Sequence, residues 1–277
     1  MRLTNGRIGL LVALPLCLQF VPNSFADNIS LWKVDGDGDR VNYKEHGPFD
    51  GWKPVNCADN RVLWHHEDGR ISLWKVDEEG KQVSFKEHGP FEDWKPLNYA
   101  DGRILFRNKE GAISLWKVDG DGNQVNYKEH GPIEGWTPVN CANNRVLWRH
   151  EDGRISLWKV DDEGKQVSFK EHGPFEGWQV INYADGRILW RNKEGAISLW
   201  KVDEEGNQVN YKEHGPFEGW TPVNCANNRV LWRHEDGRAS LWKVDEEGNQ
   251  VSYKEHGPFE DWKPIHFADN RLLWRSR

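Results

Sequence analysis

Short runs rich in β-branched and aromatic residues recur along the chain, separated by Gly, Pro, Asn and Asp. Residues 220–256 contain four such runs, which read WTPVNCA, RVLWRH, ASLWKV and QVSYKEH. Each run has the length and composition of a β-strand, and no apolar residues recur at helical spacing. The pattern predicts an all-β chain built from four-stranded units.

The four-stranded unit is repeated six times. Its marker is the tryptophan of the SLWKVD motif, which recurs every 42 residues at Trp32, Trp74, Trp116, Trp158, Trp200 and Trp242. The units are 29–70, 71–112, 113–154, 155–196, 197–238 and 239–277. Four strands in 42 residues match a propeller blade, and six blades close a ring. A β-solenoid is the structural alternative, but its rungs are usually shorter and its ends need atypical caps.

Each end of the chain holds half of a unit. The third and fourth strand motifs open the repeat region, and the first and second strand motifs close it. Residues 29–46 and 262–276 together complete one blade, which removes free sheet edges. We therefore predict one domain over 27–277, a six-bladed β-propeller closed by pairing of its N- and C-terminal strands.

Glycine-containing turns connect the predicted strands. Asp236-Gly237 suits a two-residue type I′ hairpin, which would pair Glu235 with Arg238. The third and fourth strands are joined by Asp-Glu-Glu-Gly or a close variant, whose glycine predicts a longer turn with a left-handed residue. Gly215-Pro216 predicts the end of a fourth strand, because proline cannot donate to a sheet ladder.

The first 26 residues differ from the repeats. Arg2 and Arg7 precede an apolar run over 8–21, and Ser24 and Ala26 supply the small residues of a cleavage site. This pattern predicts a secretory signal peptide over 1–26 and a secreted or periplasmic protein. A membrane anchor is the alternative, but the run is shorter than a spanning helix needs.

The net charge excludes some partners. Removal of residues 1–26 lowers the basic residues from 37 to 35 against 44 acidic residues, so the formal charge changes from −7 to −9. Such a charge repels nucleic acids and anionic membranes. We expect no nucleic-acid partner and no membrane insertion, and the sequence leaves the oligomeric state open.

Three cysteines follow residue 26, and they lie 84 residues apart at Cys57, Cys141 and Cys225. The intervening units carry Tyr99, Tyr183 and Phe267 at the same position. The ring is thus also three copies of a double blade. Cysteines so placed are too far apart for a disulfide, which predicts buried free thiols.

Catalytic motifs are missing, and almost every candidate residue recurs three or six times, so we predict a protein that is not an enzyme. An exported enzyme with a site in the central channel remains a weaker hypothesis, for which His65 and His266 are the only breaks in the repeat. The Lys-Glu-His motif suits metal binding poorly, since adjacent strand residues point to opposite faces. Asp35–Asp39 resembles the start of a calcium loop, but a hairpin turn explains it better. We expect no metal and no cofactor.

Tryptophan is abundant, with 17 residues, and two classes are distinguished by position. Trp64, Trp74 and their equivalents lie in the middle of strands and are predicted core residues. A second set opens the first strand of each unit, where a half-exposed ring could stack on a sugar while Arg and His bind its hydroxyls. The predicted sugar-binding residues are Trp52, Trp94, Trp136, Trp178, Trp220, Trp262, Arg149, His150, Arg233, His234, His46, His88, His130, His172, His214 and His256.

The repeat read from residues 136–161, WTPVNCANNRVLWRHEDGRISLWKVD, resembles the repeats of tectonin- and tachylectin-type β-propeller lectins. It is also similar to the hairpin repeats of integrin-like bacterial propellers. The resemblance covers the whole chain after residue 26. It implies a lectin that binds glycans or glycoconjugates on cell surfaces through repeated weak sites, between or on blades. The runner-up is a protein-interaction or adhesion scaffold without a sugar pocket.

Overall fold

The computed structural model describes residues 27–276, so the predicted signal peptide over 1–26 lies outside the described residues. The described chain contains strands and turns but no helix, and hence no helix able to cross a membrane. The strands are β1 (Asp27–Val34), β2 (Arg40–Phe49), β3 (Trp52–Ala58), β4 (Arg61–His66), β5 (Ile71–Val76), β6 (Gln82–His88), β7 (Trp94–Ala100), β8 (Arg103–Asn108), β9 (Ile113–Val118), β10 (Gln124–His130), β11 (Trp136–Ala142), β12 (Arg145–His150), β13 (Ile155–Val160), β14 (Gln166–His172), β15 (Trp178–Ala184), β16 (Arg187–Asn192), β17 (Ile197–Val202), β18 (Gln208–His214), β19 (Trp220–Ala226), β20 (Arg229–His234), β21 (Ala239–Val244), β22 (Gln250–His256), β23 (Trp262–Ala268) and β24 (Arg271–Ser276).

These strands form six antiparallel sheets of four strands, which confirms the predicted six-bladed propeller. Blade 1 is β3–β6, blade 2 is β7–β10, blade 3 is β11–β14, blade 4 is β15–β18 and blade 5 is β19–β22. Blade 6 consists of β23, β24, β1 and β2. In every blade the first strand of this order is innermost, and its neighbours are the first strands of the adjacent blades.

Blade 6 closes the ring as predicted. In it, β1 pairs with β24 from Ile29 opposite Arg275 to Lys33 opposite Arg271. The Asn28 backbone N–H also donates a 2.9 Å hydrogen bond to Ser276 Oγ. Both ends of the described chain are therefore held inside one sheet, and neither leaves an open ladder.

The two middle strands of each blade form the core. In blade 5, Leu231 and Leu241 are fully buried, and the Trp232 and Trp242 rings pack against each other with centroids 4.8 Å apart. The mid-strand tryptophans predicted as core are buried, with Trp64 1% exposed and Trp74 7% exposed, except for Trp116, which is partly exposed. Burying each indole stabilises the fold by roughly 4 kcal/mol. The repeat thus places one aromatic layer in every blade.

The prediction for the turn at Asp236-Gly237 is wrong. The His234 N–H donates to the Arg238 carbonyl at 2.8 Å, and Gly237 adopts φ +96°, so the loop has three residues and a bulge. Arg238 binds the carboxylates of Asp236 and Glu255 instead of pairing with Glu235.

Two-residue turns with positive φ at both positions lie one hairpin earlier, between the first and second strands. Asn227 and Asn228 adopt φ +51° and +56° between Ala226 and Arg229, and asparagine tolerates this conformation. The turn between the third and fourth strands is a longer one with a left-handed glycine, as predicted, with φ +85° at Gly248. Fourth strands end before Gly-Pro in blades 1 to 5, whereas β2 continues through Gly47-Pro48 to Phe49.

Asparagine side chains join the innermost strands of neighbouring blades. Asn224 donates through Nδ2 to the Phe267 carbonyl at 2.8 Å and accepts from the Phe267 N–H at 3.0 Å. The same paired bonds are made by Asn56, Asn98, Asn140 and Asn182. Between blades 6 and 1, His266 replaces the asparagine, and its Nδ1 lies 3.9 Å from Cys57 Sγ.

The three cysteines are buried free thiols, as predicted. Burial raises the pKa of each of them to about 12. They therefore behave as small apolar side chains in the innermost strands.

Candidate functional site

The six tryptophans that open the innermost strands are half-buried. One side of each ring packs against a core cluster, and the other side reaches the surface between blades. These rings are therefore partly core and partly available for contact. The sequence leaves open whether these rings are half-exposed or wedged between blades, and their use in sugar binding stays a prediction.

The structure brings four of the predicted residues into one cleft. Its volume is about 570 Å³, and blades 2, 3 and 4 all contribute to its wall. The predicted residues in it are Trp136, Trp178, Arg149 and His150. Arg107, Glu134, Thr137, Arg154 and Gln179 line it as well and were missed by sequence reasoning. This is the volume of a pocket for a small organic ligand.

Trp136 forms one wall of the cleft and is held by a polar network. The His150 ring lies 4.9 Å from the indole at 59°, and the Arg154 guanidinium carbon lies 5.4 Å from its centroid. Asp152 binds both partners, at 2.8 Å from His150 Nδ1 and 2.9 Å from Arg154 Nε. The pKa of Asp152 is lowered to about 2, mainly by the hydrogen bond from the Arg154 backbone N–H and then by its guanidinium. The network keeps a carboxylate charged beside the ring.

Trp178 also lines the cleft and has a freer ring. Among residues 27–276 no aromatic side chain or guanidinium is stacked on it. Its neighbour Gln179 stands where blades 2 and 6 carry Lys95 and Lys263. The shorter, uncharged glutamine adds amide groups to the cleft wall without a cation. The Trp178 indole is therefore the available stacking surface.

The polar network occurs in alternate blades only. Blades 1, 3 and 5 contain it, and blades 2, 4 and 6 replace its histidine with Asn108, Asn192 and Ser276. The copy in blade 5 places His234 4.9 Å from Trp220, with Arg238 5.3 Å from the indole centroid. The predicted Arg233 lies one residue before this histidine. The turns of blades 1 to 5 thus give two kinds of site, a difference already visible in the HEDGR and NKEGA sequences.

The six Lys-Glu-His histidines lie outside this cleft, and each is a contact between blades. Their Nε2 atoms lie 2.8–2.9 Å from a glycine carbonyl in the next blade. His214, for example, bonds the Gly248 carbonyl, and His256 of blade 5 bonds the Gly38 carbonyl of blade 6. The Nε2 atom of each ring is therefore already hydrogen-bonded within the protein. A role in sugar binding stays a prediction for these six residues.

The two breaks in the repeat occupy different places. His266 lies in the central channel, where burial lowers its pKa to about 4. His65 is on β4, where burial and then Lys95 lower its pKa. Within the described range, no group of three or more His, Cys, Asp and Glu side chains is arranged to hold a metal ion.

No protein-family model and no curated protein sequence matches the chain. Among solved structures, human WBSCR16 is similar with a TM-score of 0.53 at 11% identity, over 83% of this chain and 73% of that one. A WD40 domain of Toxoplasma gondii coronin gives a TM-score of 0.47 at 11% identity, covering 91% and 78%. BamB from Moraxella catarrhalis gives 0.39 at 12% identity, covering 89% and 91%. The likeness to WBSCR16 concerns the fold alone.

Proposed function

We propose that the protein is a non-enzymatic carbohydrate-binding propeller, and that its best-formed site is the cleft between Trp136 and Trp178. The observation that carries this proposal is the half-exposed Trp178 indole in a cleft that planar polar side chains also line. Pyranose rings present C–H groups on one face and hydroxyls at the edge. An exposed indole and adjacent polar side chains complement both features.

The cleft offers hydroxyl partners of both kinds. Arg149 and Arg154 are donors, Glu134 is an acceptor, and the Gln179 amide is both. The volume of about 570 Å³ suits a monosaccharide or a disaccharide more than a long chain. A site this open binds weakly when it acts alone.

Repetition around the ring compensates for weak single sites. The Trp–His–Arg network recurs in blades 1, 3 and 5, so one molecule presents related surfaces at three positions. Linked sites raise avidity by roughly 10² to 10⁴ on a surface with clustered ligands. We propose glycoconjugates on cell surfaces as the partners, consistent with the export that the predicted signal peptide over 1–26 implies.

An interaction scaffold is the second candidate, and exposed apolar side chains favour it. Every outermost strand carries a valine and an aromatic residue that are more than half exposed, such as Val209 at 56% and Tyr211 at 57%. Exposed apolar residues repeated on sheet edges are typical of docking surfaces. A scaffold would use this rim rather than the cleft.

A matched pair of variants tests the sugar site. We expect Trp178→Ala to weaken binding to the best glycan of an array about ten-fold, because its ring supplies the stacking surface. Its melting temperature should fall moderately, because one side of the ring packs against the core. Trp136→Ala should lower the melting temperature more, since the Arg154 and His150 contacts are lost with the ring.

Isothermal titration with the free sugar and thermal melts measure both effects. Trp178→Phe keeps a flat ring and serves as the control, with affinity between the wild type and the alanine variant. A wild-type protein that binds no glycan on the array would contradict the proposal and leave the scaffold as the better function.

A further inference from the structure

Blade 6 contains an aromatic pocket that is filled by a cation from the chain itself. The pocket lies on one face of the blade, where β1 and β2 place Trp32 directly opposite Tyr43. The Arg40 guanidinium carbon lies 4.6 Å from the Trp32 centroid and 4.8 Å from the Tyr43 centroid. Contact with two rings is a favourable geometry for a cation.

The other five blades lack an arginine at the position of Arg40. At the position of Arg40 they carry Gln82, Gln124, Gln166, Gln208 and Gln250. The register is the same, since Arg40 pairs with Val34 in blade 6 and Gln124 pairs with Val118 in blade 2. A neutral glutamine leaves the aromatic faces unoccupied by charge.

The pocket of blade 2 is the widest of those compared. Its volume is about 380 Å³, against about 150 Å³ in blade 3 and about 120 Å³ in blade 6. Phe106 explains the difference, because all five other blades carry tryptophan at this position. The smaller ring also leaves Trp116 half-exposed, whereas Trp158 in blade 3 is 8% exposed.

The aromatic wall of the blade 2 pocket comes from four strands and one loop. Trp94, Phe106, Trp116 and Tyr127 line it, together with Phe91 from the connection that enters the blade. Tyr127 is 56% exposed and pairs directly with Trp116 across the strands. The pocket therefore has an open side at the rim of the propeller.

Two unpaired acceptors complete the site. Glu129 lines the pocket, and within residues 27–276 it forms no ion pair, because blade 2 has Ala112 where blades 1, 3 and 5 have arginine. In blade 3 the equivalent Glu171 is bound by Arg154 at 3.0 Å. Ser114, which is 2% exposed and opposite Glu129, has no hydrogen-bond partner for Oγ. Blade 2 thus combines a carboxylate and a buried hydroxyl that both lack partners.

We propose that the blade 2 pocket binds a guanidinium group, supplied by an arginine side chain of a partner protein. The rings attract a planar cation, as blade 6 shows with Arg40, and the Glu129 carboxylate neutralises its charge. Glu129 and Ser114 favour guanidinium over quaternary ammonium, because a quaternary ammonium has no N–H to donate to them. The open side at the rim admits a side chain that projects from another molecule.

The test uses Nα-acetyl-arginine N-methylamide as the probe and ligand-observed NMR titration as the measurement. The wild type should bind this probe with a Kd at least ten-fold below that of the neutral citrulline analogue and below that of tetramethylammonium. Free arginine, which carries its own ammonium and carboxylate, should bind no more tightly than the probe. Tight binding of free arginine alone would overturn the protein source of the guanidinium.

Variants copied from the other blades locate the site. Gln124→Arg should fill the pocket from within and abolish binding, and Ala112→Arg should reduce it at least five-fold by neutralising Glu129. The matched control is Gln166→Arg in blade 3, which should bind as the wild type does. Thermal melts establish that each variant is folded.

The converse change is Arg40→Gln, which should open the pocket of blade 6 and add binding capacity. Trp178→Ala should leave probe binding unchanged, which separates this site from the sugar cleft. No binding by the wild type, or unchanged binding by Gln124→Arg, would overturn the proposal. Equal affinity for the probe and for tetramethylammonium would overturn the choice of guanidinium.

Discussion

At the scale of single residues, His266 is the substitution in the repeat that changes a contact between blades. Five innermost strands carry an asparagine that forms paired hydrogen bonds with the backbone of the next blade. The sixth carries His266, an imidazole that has a different shape and faces the Cys57 thiol at 3.9 Å. The joint between blade 6 and blade 1 therefore lacks the paired bonds that the other five joints have.

We expect His266→Asn to stabilise the protein by about 1 kcal/mol at neutral pH, because the asparagine can form the missing pair of bonds. The variant should also weaken the loss of stability in acid. Burial lowers the pKa of His266 from 6.5 to about 4, so in this pH window the unfolded chain binds a proton that the folded chain excludes. Stability from this residue is complete above about pH 6.5 and falls towards pH 4.

Urea unfolding at pH 7.5 and at pH 5 measures both effects. Some acid dependence should remain in the variant, since burial also lowers the pKa of His46 and of His256. Asn224→His is the control and should destabilise by breaking a second joint. An unchanged difference between the two pH values would show that His266 is protonated as readily in the folded state as in the unfolded chain.

At the scale of elements, the turn between the third and fourth strands is held by side chains of the preceding blade. In blade 5 this turn accepts a 2.8 Å hydrogen bond from His214 to Gly248. The buried Arg187 of blade 4 also donates to the Asp245 and Glu246 carbonyls, at 2.7 and 3.1 Å. One strand-end histidine and one mid-blade arginine thus hold each following turn. Asp35–Asp39, which resembles the start of a calcium loop, is the equivalent turn of blade 6. Arg229 of blade 5 donates to its Asp35 and Gly36 carbonyls.

We expect His214→Ala to lower the free energy of unfolding by about 1–2 kcal/mol, because the Gly248 carbonyl loses its donor and Trp242 loses an edge contact. Glycan affinity should stay unchanged. His214→Gln retains a donor and should recover part of the loss. Denaturant unfolding and glycan titration on the same samples separate the two roles, since a sugar-contacting histidine would lower affinity while stability stayed the same.

The strands were predictable from sequence and the turns only in part. Composition and spacing give the bounds of β19 to β22 because a strand's identity depends on residues within the strand. The Asp236-Gly237 turn was predicted wrongly because Asp236 and Arg238 bind each other and set a longer loop. The histidine contacts were not predictable at all, since each partner glycine lies on another blade, 34 residues away in five cases and 218 residues away for His256.

At the scale of the whole molecule, the repeat period and the phase of the chain ends were enough to predict six blades and the shared closing blade. The differences in volume and lining between the cavities of the individual blades were not predictable in the same way. Gln179 and Phe106 each occur in one blade only, and each lines a cavity whose walls come from more than one blade. A repeated sequence therefore gives the ring, while its few substitutions give the ring individual sites.

Closure through blade 6 predicts that moving the chain ends should weaken the ring. A circular permutant can begin at Gly51 and end at Asp50, with the Glu-Asp-Gly loop of blade 5 joining Ser276 to Asn28. These two residues are already adjacent, so the joined hairpin should form without strain. The new opening falls between blade 6 and blade 1, at the joint that His266 leaves without its asparagine pair.

We expect the permutant to fold with an unchanged far-ultraviolet circular dichroism spectrum, but to unfold with a free energy lower by roughly 2 kcal/mol or more. The reason is that the ring would then be closed only by side-chain contacts between two blades, and no longer by the β1–β24 ladder within one. Adding His266→Asn to the permutant should recover more stability than it adds to the natural chain, because the same joint now carries the closure. A permutant as stable as the natural chain would show that contacts between blades close the ring without help from the shared sheet.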